Sequence, residues 1–204
     1  MAEPENRQKH RLVVGISGAS GVAYGIRLIE ALRELEIESH LIVSKAGEMT
    51  IGYETSLKPG QVAARADYAY AIGDIGAPPA SGTFKTRGMV VAPCSVRTMS
   101  EIATGVTTTL LSRAADVTLK ERRPLVLMVR ETPLHLGHLR TMTALAEMGA
   151  TILPPVPAFY AAPRTLEDLV DQMVGRALDF FGYDWPLARR WGQDLAKGRR
   201  KPRR

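Results

Sequence analysis

The residues best suited to chemistry stand directly after short apolar runs. Ser17 and Ser20 follow the run at 12–14, Ser44 follows 40–43, Ser95 follows 89–92 with Pro93 and Cys94, and Arg130-Glu131 follows 125–129. Hydroxyls donate to anionic oxygen, an arginine neutralises it, and a carboxylate beside it can carry a proton. Such a set suits a phosphorylated, hydrogen-bonding ligand. Gly15, Gly18 and Gly21 space the first stretch as GxxGxxG between an apolar run and a helical pattern. A turn of this kind lets the backbone approach a phosphate, with the first N–H groups of the helix aimed at it. The spacing differs from the GxGxxG of dinucleotide folds, and no acidic residue closes the next strand at the ribose position.

Other reactive groups carry less. Cys94 sits at a strand end with no histidine beside it in sequence, so it reads as a small buried residue rather than a nucleophile. Glu131, His135 and His138 have a spacing that can ligate a metal on a helix. No further acidic or cysteine ligand stands near, so no metal is expected, and one helical turn facing a neighbouring subunit accounts for both histidines. No Ser-His-Asp arrangement and no P-loop is present.

The elements that must position these residues alternate along the chain. Strands are expected at 11–17, 40–43, 89–92, 125–129 and 151–153, with a further short one near 68–72. Helices are expected at 20–36, after Ser44, at 97–104, 107–120, 135–148 and 165–181. The helix at 135–148 is read as turning Leu136, Leu139, Met142, Leu145 and Met148 inward. The Gly-, Pro- and Ala-rich segment 73–87 is too apolar for a free linker and is expected to fold over a site. Strands alternating with helices imply an α/β domain: a single doubly wound, mostly parallel sheet in a flavodoxin- or Rossmann-like three-layer sandwich. In that sheet every strand's carboxyl end lies on one edge, which gathers the serines and Arg130-Glu131 in one crevice.

Composition narrows the class. The 204 residues suffice for one domain, with 1–10 expected to be disordered, 11–192 to form the domain and 193–204 to be a basic tail. A single cysteine rules out a disulfide framework, and no apolar run reaches the roughly 18 residues of a membrane span. Residues 1–11 do not resemble a signal peptide, so a cytoplasmic location is expected. The formal charge of +6 is matched by six lysines and arginines between Lys197 and Arg204, which leaves the rest of the chain formally neutral. A solvated basic tail of this kind does not make nucleic acid the main partner.

Seven stretches together carry a family resemblance. They are Gly18-Ala-Ser-Gly21, Ala77-Pro-Pro-Ala-Ser-Gly82, Ala92-Pro-Cys-Ser95, Ser112-Arg-Ala-Ala-Asp116, Lys120-Glu-Arg-Arg-Pro124, Arg130-Glu-Thr-Pro133 and Pro157-Ala-Phe-Tyr160. Over about residues 12–191, in this order, the chain resembles the UbiX/Pad flavin prenyltransferases. The resemblance implies a homododecamer that joins a dimethylallyl group from dimethylallyl phosphate to N5 and C6 of reduced FMN. The prenylated FMN would serve a UbiD-type decarboxylase. By motif, Gly18, Ala19, Ser20, Ser44, Ser95, Val96, Arg97, Thr98 and Arg130 would hold FMN. Lys120, Arg130, Glu131, Tyr160 and Arg176 would surround the dimethylallyl phosphate, with Glu131, Lys120, Ser20 and Tyr160 catalytic.

The chain departs from the family pattern in two places. Ile75 stands where a tryptophan often precedes the Ala-Pro-Pro-Ala-Ser-Gly loop, and Thr107–Thr109 stand where asparagine or aspartate is common. Two other readings stay open. One is a flavin-dependent decarboxylase of the peptidyl-cysteine type, although residues 19–33 hold no histidine for its usual catalytic role. The other is a non-catalytic FMN-binding carrier.

Overall fold

Continuous apolar runs become strands buried on both faces, since helices cover each side of the sheet. The computed structural model describes residues 10–192. Its strands are β1 (Arg11–Ile16), β2 (Glu38–Val43), β3 (Tyr68–Tyr70), β4 (Met89–Cys94), β5 (Leu125–Val129) and β6 (Thr151–Ile152). They pair wholly in parallel in the order β3-β2-β1-β4-β5-β6. Helices α1 (Val22–Glu34), α2 (Lys45–Glu54), α3 (Pro59–Ala63), α4 (Val96–Ala103), α5 (Leu110–Lys120), α6 (Leu136–Glu147) and α7 (Leu166–Asp179) connect or follow them.

Side-chain alternation along β1 builds two cores at once. Leu12, Val14 and Ile16 pack with Ile29 and Leu32 of α1 and with Val174 and Leu178 of α7. Val13 faces the other way, into a cluster with Met99 of α4, Leu111 and Ala115 of α5, and Leu145 of α6. The chain leaves β1 and β4 towards opposite faces, so the crevice between their carboxyl ends is the switch point of the sheet.

One sequence expectation of the fold changes, the inward face of α6. Within the stretch 1–10 only His10 falls among the described residues, and its carbonyl accepts the Glu38 N–H at 2.9 Å. Residues 1–9 and the tail 193–204 lie outside the described residues. Helix α6 buries only Leu145; Leu136, Leu139 and Met148 are about half exposed or more. The segment 73–87 packs on α5, burying Ala77 and Ala80, while the Arg123 guanidinium donates to the carbonyls of Gly82 and Phe84 at 2.7 Å each.

Candidate functional site

A cavity of about 280 Å³ opens where the chain leaves β1, β2 and β4. Gly18, Ser44, Lys45, Ala46, Ser95, Arg97, Thr98 and Thr109 are among the residues that line it. Two helices begin there with a serine cap. The Ser44 hydroxyl accepts the Gly47 N–H at 3.0 Å and starts α2. The Ser95 hydroxyl accepts the Thr98 N–H at 3.3 Å and starts α4. Each cap satisfies a free helix donor and directs the positive end of a helix dipole into the cavity. Gly18 is required where these elements meet, because a Cβ on it would lie 2.4 Å from the Cβ of Ala46.

The neighbouring turn residues divide between structure and crevice. Ser17 is fully buried; its hydroxyl donates to the Pro93 carbonyl at 2.8 Å and accepts the Ser95 N–H at 2.7 Å. It ties β1 to the end of β4 and is not available as the ligand donor that the sequence suggests. Ser20 is exposed and is not among the residues that line the cavity, Ala19 and Thr98 are buried, and Val96 is half-buried.

The start of α1 is also used differently from the expected phosphate cradle. The Gly21 and Val22 N–H groups donate to Glu54 Oε2 at 2.8 and 3.0 Å. Partial burial would raise the Glu54 pKa, but hydrogen bonds from Ser20, Gly21 and Val22, with the charge of Arg130, hold it below the usual carboxylate range. Sequence reading missed Glu54. Its one sequence signal is an acid in the last turn of α2, where that helix's own dipole disfavours it.

Arg130 is anchored by its N–H to the Cys94 carbonyl at 3.1 Å. Its charge acts on Glu54 and on Tyr24, whose phenol is raised by burial and partly lowered by Arg130. Among the described residues Arg130 and Glu131, adjacent in sequence, form no ion pair. Glu131 instead accepts the Thr132 N–H at 3.0 Å. Arg97 forms an ion pair with Glu101 at 2.9 Å and is largely solvent-exposed.

The remaining predicted residues lie elsewhere in the same protomer. Lys120 ends α5, beside Gly82 and paired to Glu121 at 2.5 Å. Helix α5 starts at the cavity with Thr109 and runs about 16 Å to the opposite edge of the sheet. Arg176 lies in the last turn of α7, paired to Asp179 at 2.5 Å. Just beyond it, Phe181 packs over Gly88 at the amino end of β4. Tyr160 follows β6 and meets α7 through Gln172. Ile75 is exposed, and Thr109 caps α5 by accepting the Ser112 N–H at 3.3 Å.

The other candidates resolve simply. Cys94 is fully buried and burial pushes its thiol up to about 12, which is no nucleophile's environment. His135 starts α6, its Nδ1 accepting the Gly137 N–H at 3.0 Å, and its ring stacks on His138 at 3.6 Å. Among the described residues, no three His, Cys, Asp or Glu side chains are grouped to hold a metal ion.

The family model for Flavoprotein matches residues 1–178. The flavin prenyltransferase UbiX of Escherichia coli K12 is 55% identical over 184 residues, 89% of this chain and 97% of the relative. The crystal structure of AnUbiX in complex with FMN and dimethylallyl pyrophosphate superposes with a TM-score of 0.89 at 50% identity, covering 90% of this chain and 98% of that one. A dodecameric FMN-dependent UbiX-like decarboxylase from Escherichia coli O157:H7 gives 0.87 at 47% identity, covering 89% and 98%.

Proposed function

The chain belongs to the Flavoprotein family and, within it, to the UbiX flavin prenyltransferases, and from that membership we propose that it joins a dimethylallyl group to N5 and C6 of reduced FMN. The product would serve a UbiD-type decarboxylase. The observation that carries the reading is the cavity in which two serine-capped helix starts meet beside Gly18. Converging donors and two positive helix ends suit the phosphate end of FMN.

In this reading Gly18, Ala19, Ser20, Ser44, Ser95, Val96, Arg97, Thr98 and Arg130 hold FMN. Reduced FMN supplies the nucleophilic ring positions that take the allylic carbon. Lys120, Arg130 and Arg176 neutralise the departing phosphate, with Tyr160 as a hydroxyl donor. Glu131 moves a proton at the exposed rim. The Ser20 hydroxyl, beside Gly21 whose N–H meets Glu54, is a second donor to the departing phosphate.

Lys120 and Arg176 lie at the other sheet edge from Arg130, so they would complete the crevice of a neighbouring copy. A dodecamer like that of the UbiX-like decarboxylase provides such neighbours. The exposed apolar residues of α6 suit burial between copies. Among the described residues no helix is long and apolar enough to cross a membrane. We place the protein in the cytoplasm.

A second reading, an FMN carrier without turnover, is favoured by one observation: a single protomer has Arg130 at the carboxyl end of β5 and both Lys120 and Arg176 at helix ends away from it. One experiment separates the two. The protein is incubated anaerobically with FMN, dithionite and either dimethylallyl phosphate or its diphosphate, and the extracted flavin is weighed by mass spectrometry. A gain of one dimethylallyl unit supports the prenyltransferase and identifies the donor. Retained but unmodified FMN supports the carrier, and loss of all flavin overturns both.

A further inference from the structure

Gln172 of α7 is a polar residue only 2% exposed, between the buried Met173 and the half-buried Asp171. Burial of a carboxamide is costly unless its hydrogen-bonding groups are satisfied. Here they are. Oε1 accepts the Arg189 N–H at 2.9 Å, while Nε2 donates to the Arg189 carbonyl at 3.0 Å and to the Tyr160 hydroxyl oxygen at 3.4 Å. A carboxamide nitrogen has two hydrogens, and both are committed.

The same cluster fixes the ring of Tyr160. Trp191 meets it edge-to-face at 5.3 Å, and the Arg189 guanidinium donates to the carbonyl of the adjacent Ala161 at 2.8 Å. Because Gln172 donates to the Tyr160 oxygen, the hydroxyl's own hydrogen is left to point elsewhere. An acceptor at position 172 would take that hydrogen instead.

We propose that Gln172 is a positioning residue for prenyl transfer, holding Tyr160 as a hydrogen-bond donor towards the departing phosphate. The proposal rests on the reading that places Tyr160 at the prenyl donor. Gln172 touches neither substrate; it acts by setting the polarity of the Tyr160 hydroxyl.

The test is a double-mutant cycle between positions 172 and 160 in the full-length protein. Gln172→Glu keeps the shape and replaces the donor with an acceptor. It should lower kcat/KM for the prenyl donor about tenfold and leave FMN affinity unchanged. Gln172→Met removes the donor at similar size, should cost about threefold, and carries the cycle alone if a buried glutamate prevents folding. In a Tyr160→Phe background neither change should slow the enzyme further. An equal loss in that background would mean that Gln172 acts through the chain segment alone, and full activity of both folded single variants would mean no role; either overturns the proposal. If Tyr160→Phe itself keeps the wild-type rate, the placement of Tyr160 fails, and the proposal falls with it.

Discussion

Glu54 and Gly21 join the ends of two helices: the carboxylate that closes α2 lies 2.8 Å from the backbone N–H that precedes α1. An acid disfavoured by its own helix is stabilised by its neighbour's positive terminus. Glu54→Gln keeps the shape and removes the charge that Ser20 and Arg130 share. FMN should stay bound while turnover falls. The lowered pKa sets the sign of the stability effect: the contribution is complete above the unfolded value of about 4.3 and is lost as pH falls through the lower native value. Melting curves of wild type and Glu54→Gln should therefore converge on acidification below about pH 4.

Gly18→Ala tests the cavity without touching a donor. Its methyl would have to displace Ala46 at the start of α2. We expect about 1–3 kcal/mol of destabilisation and loss of retained flavin, read from the absorbance of the purified protein. Undiminished flavin would remove α2 from the site.

Ser17→Ala leaves a buried carbonyl and a part-buried N–H without their side-chain partner. A cost of about 1–3 kcal/mol is expected, measured by chemical denaturation. FMN affinity should weaken with it, since Ser95 and the start of α4 lose their anchor.

Charges on the outward face of α6 test the assembly. Leu136→Asp with Leu139→Asp replaces two exposed apolar side chains, so the isolated fold should survive. Size-exclusion chromatography should find smaller species, and prenyl transfer should disappear with the assembly. An active, dissociated variant would show that one protomer suffices.

The buried strands were legible because 89–92 and 125–129 are continuous apolar runs bounded by polar residues. The crevice was legible for the same reason, as strand ends in a parallel sheet share an edge. What pattern could not supply was direction. Ser17 and Ser20 lie three residues apart, yet one is fully buried and the other exposed. Glu54 meets Gly21 across 33 positions through a helix–helix contact that no local spacing encodes. Helix α6 misled because Leu136 and Leu139 have the side chains of a core, and surfaces that bury between copies use the same residue types.

The separation of Lys120 from Arg130 along α5 has a genetic consequence. If each working site draws one of these charges from each of two polypeptides, two defective alleles can compensate for one another. Subunits carrying Lys120→Ala, co-assembled in equal amounts with subunits carrying Arg130→Ala, would leave about one site in four with both charges intact, whereas either allele alone would leave none.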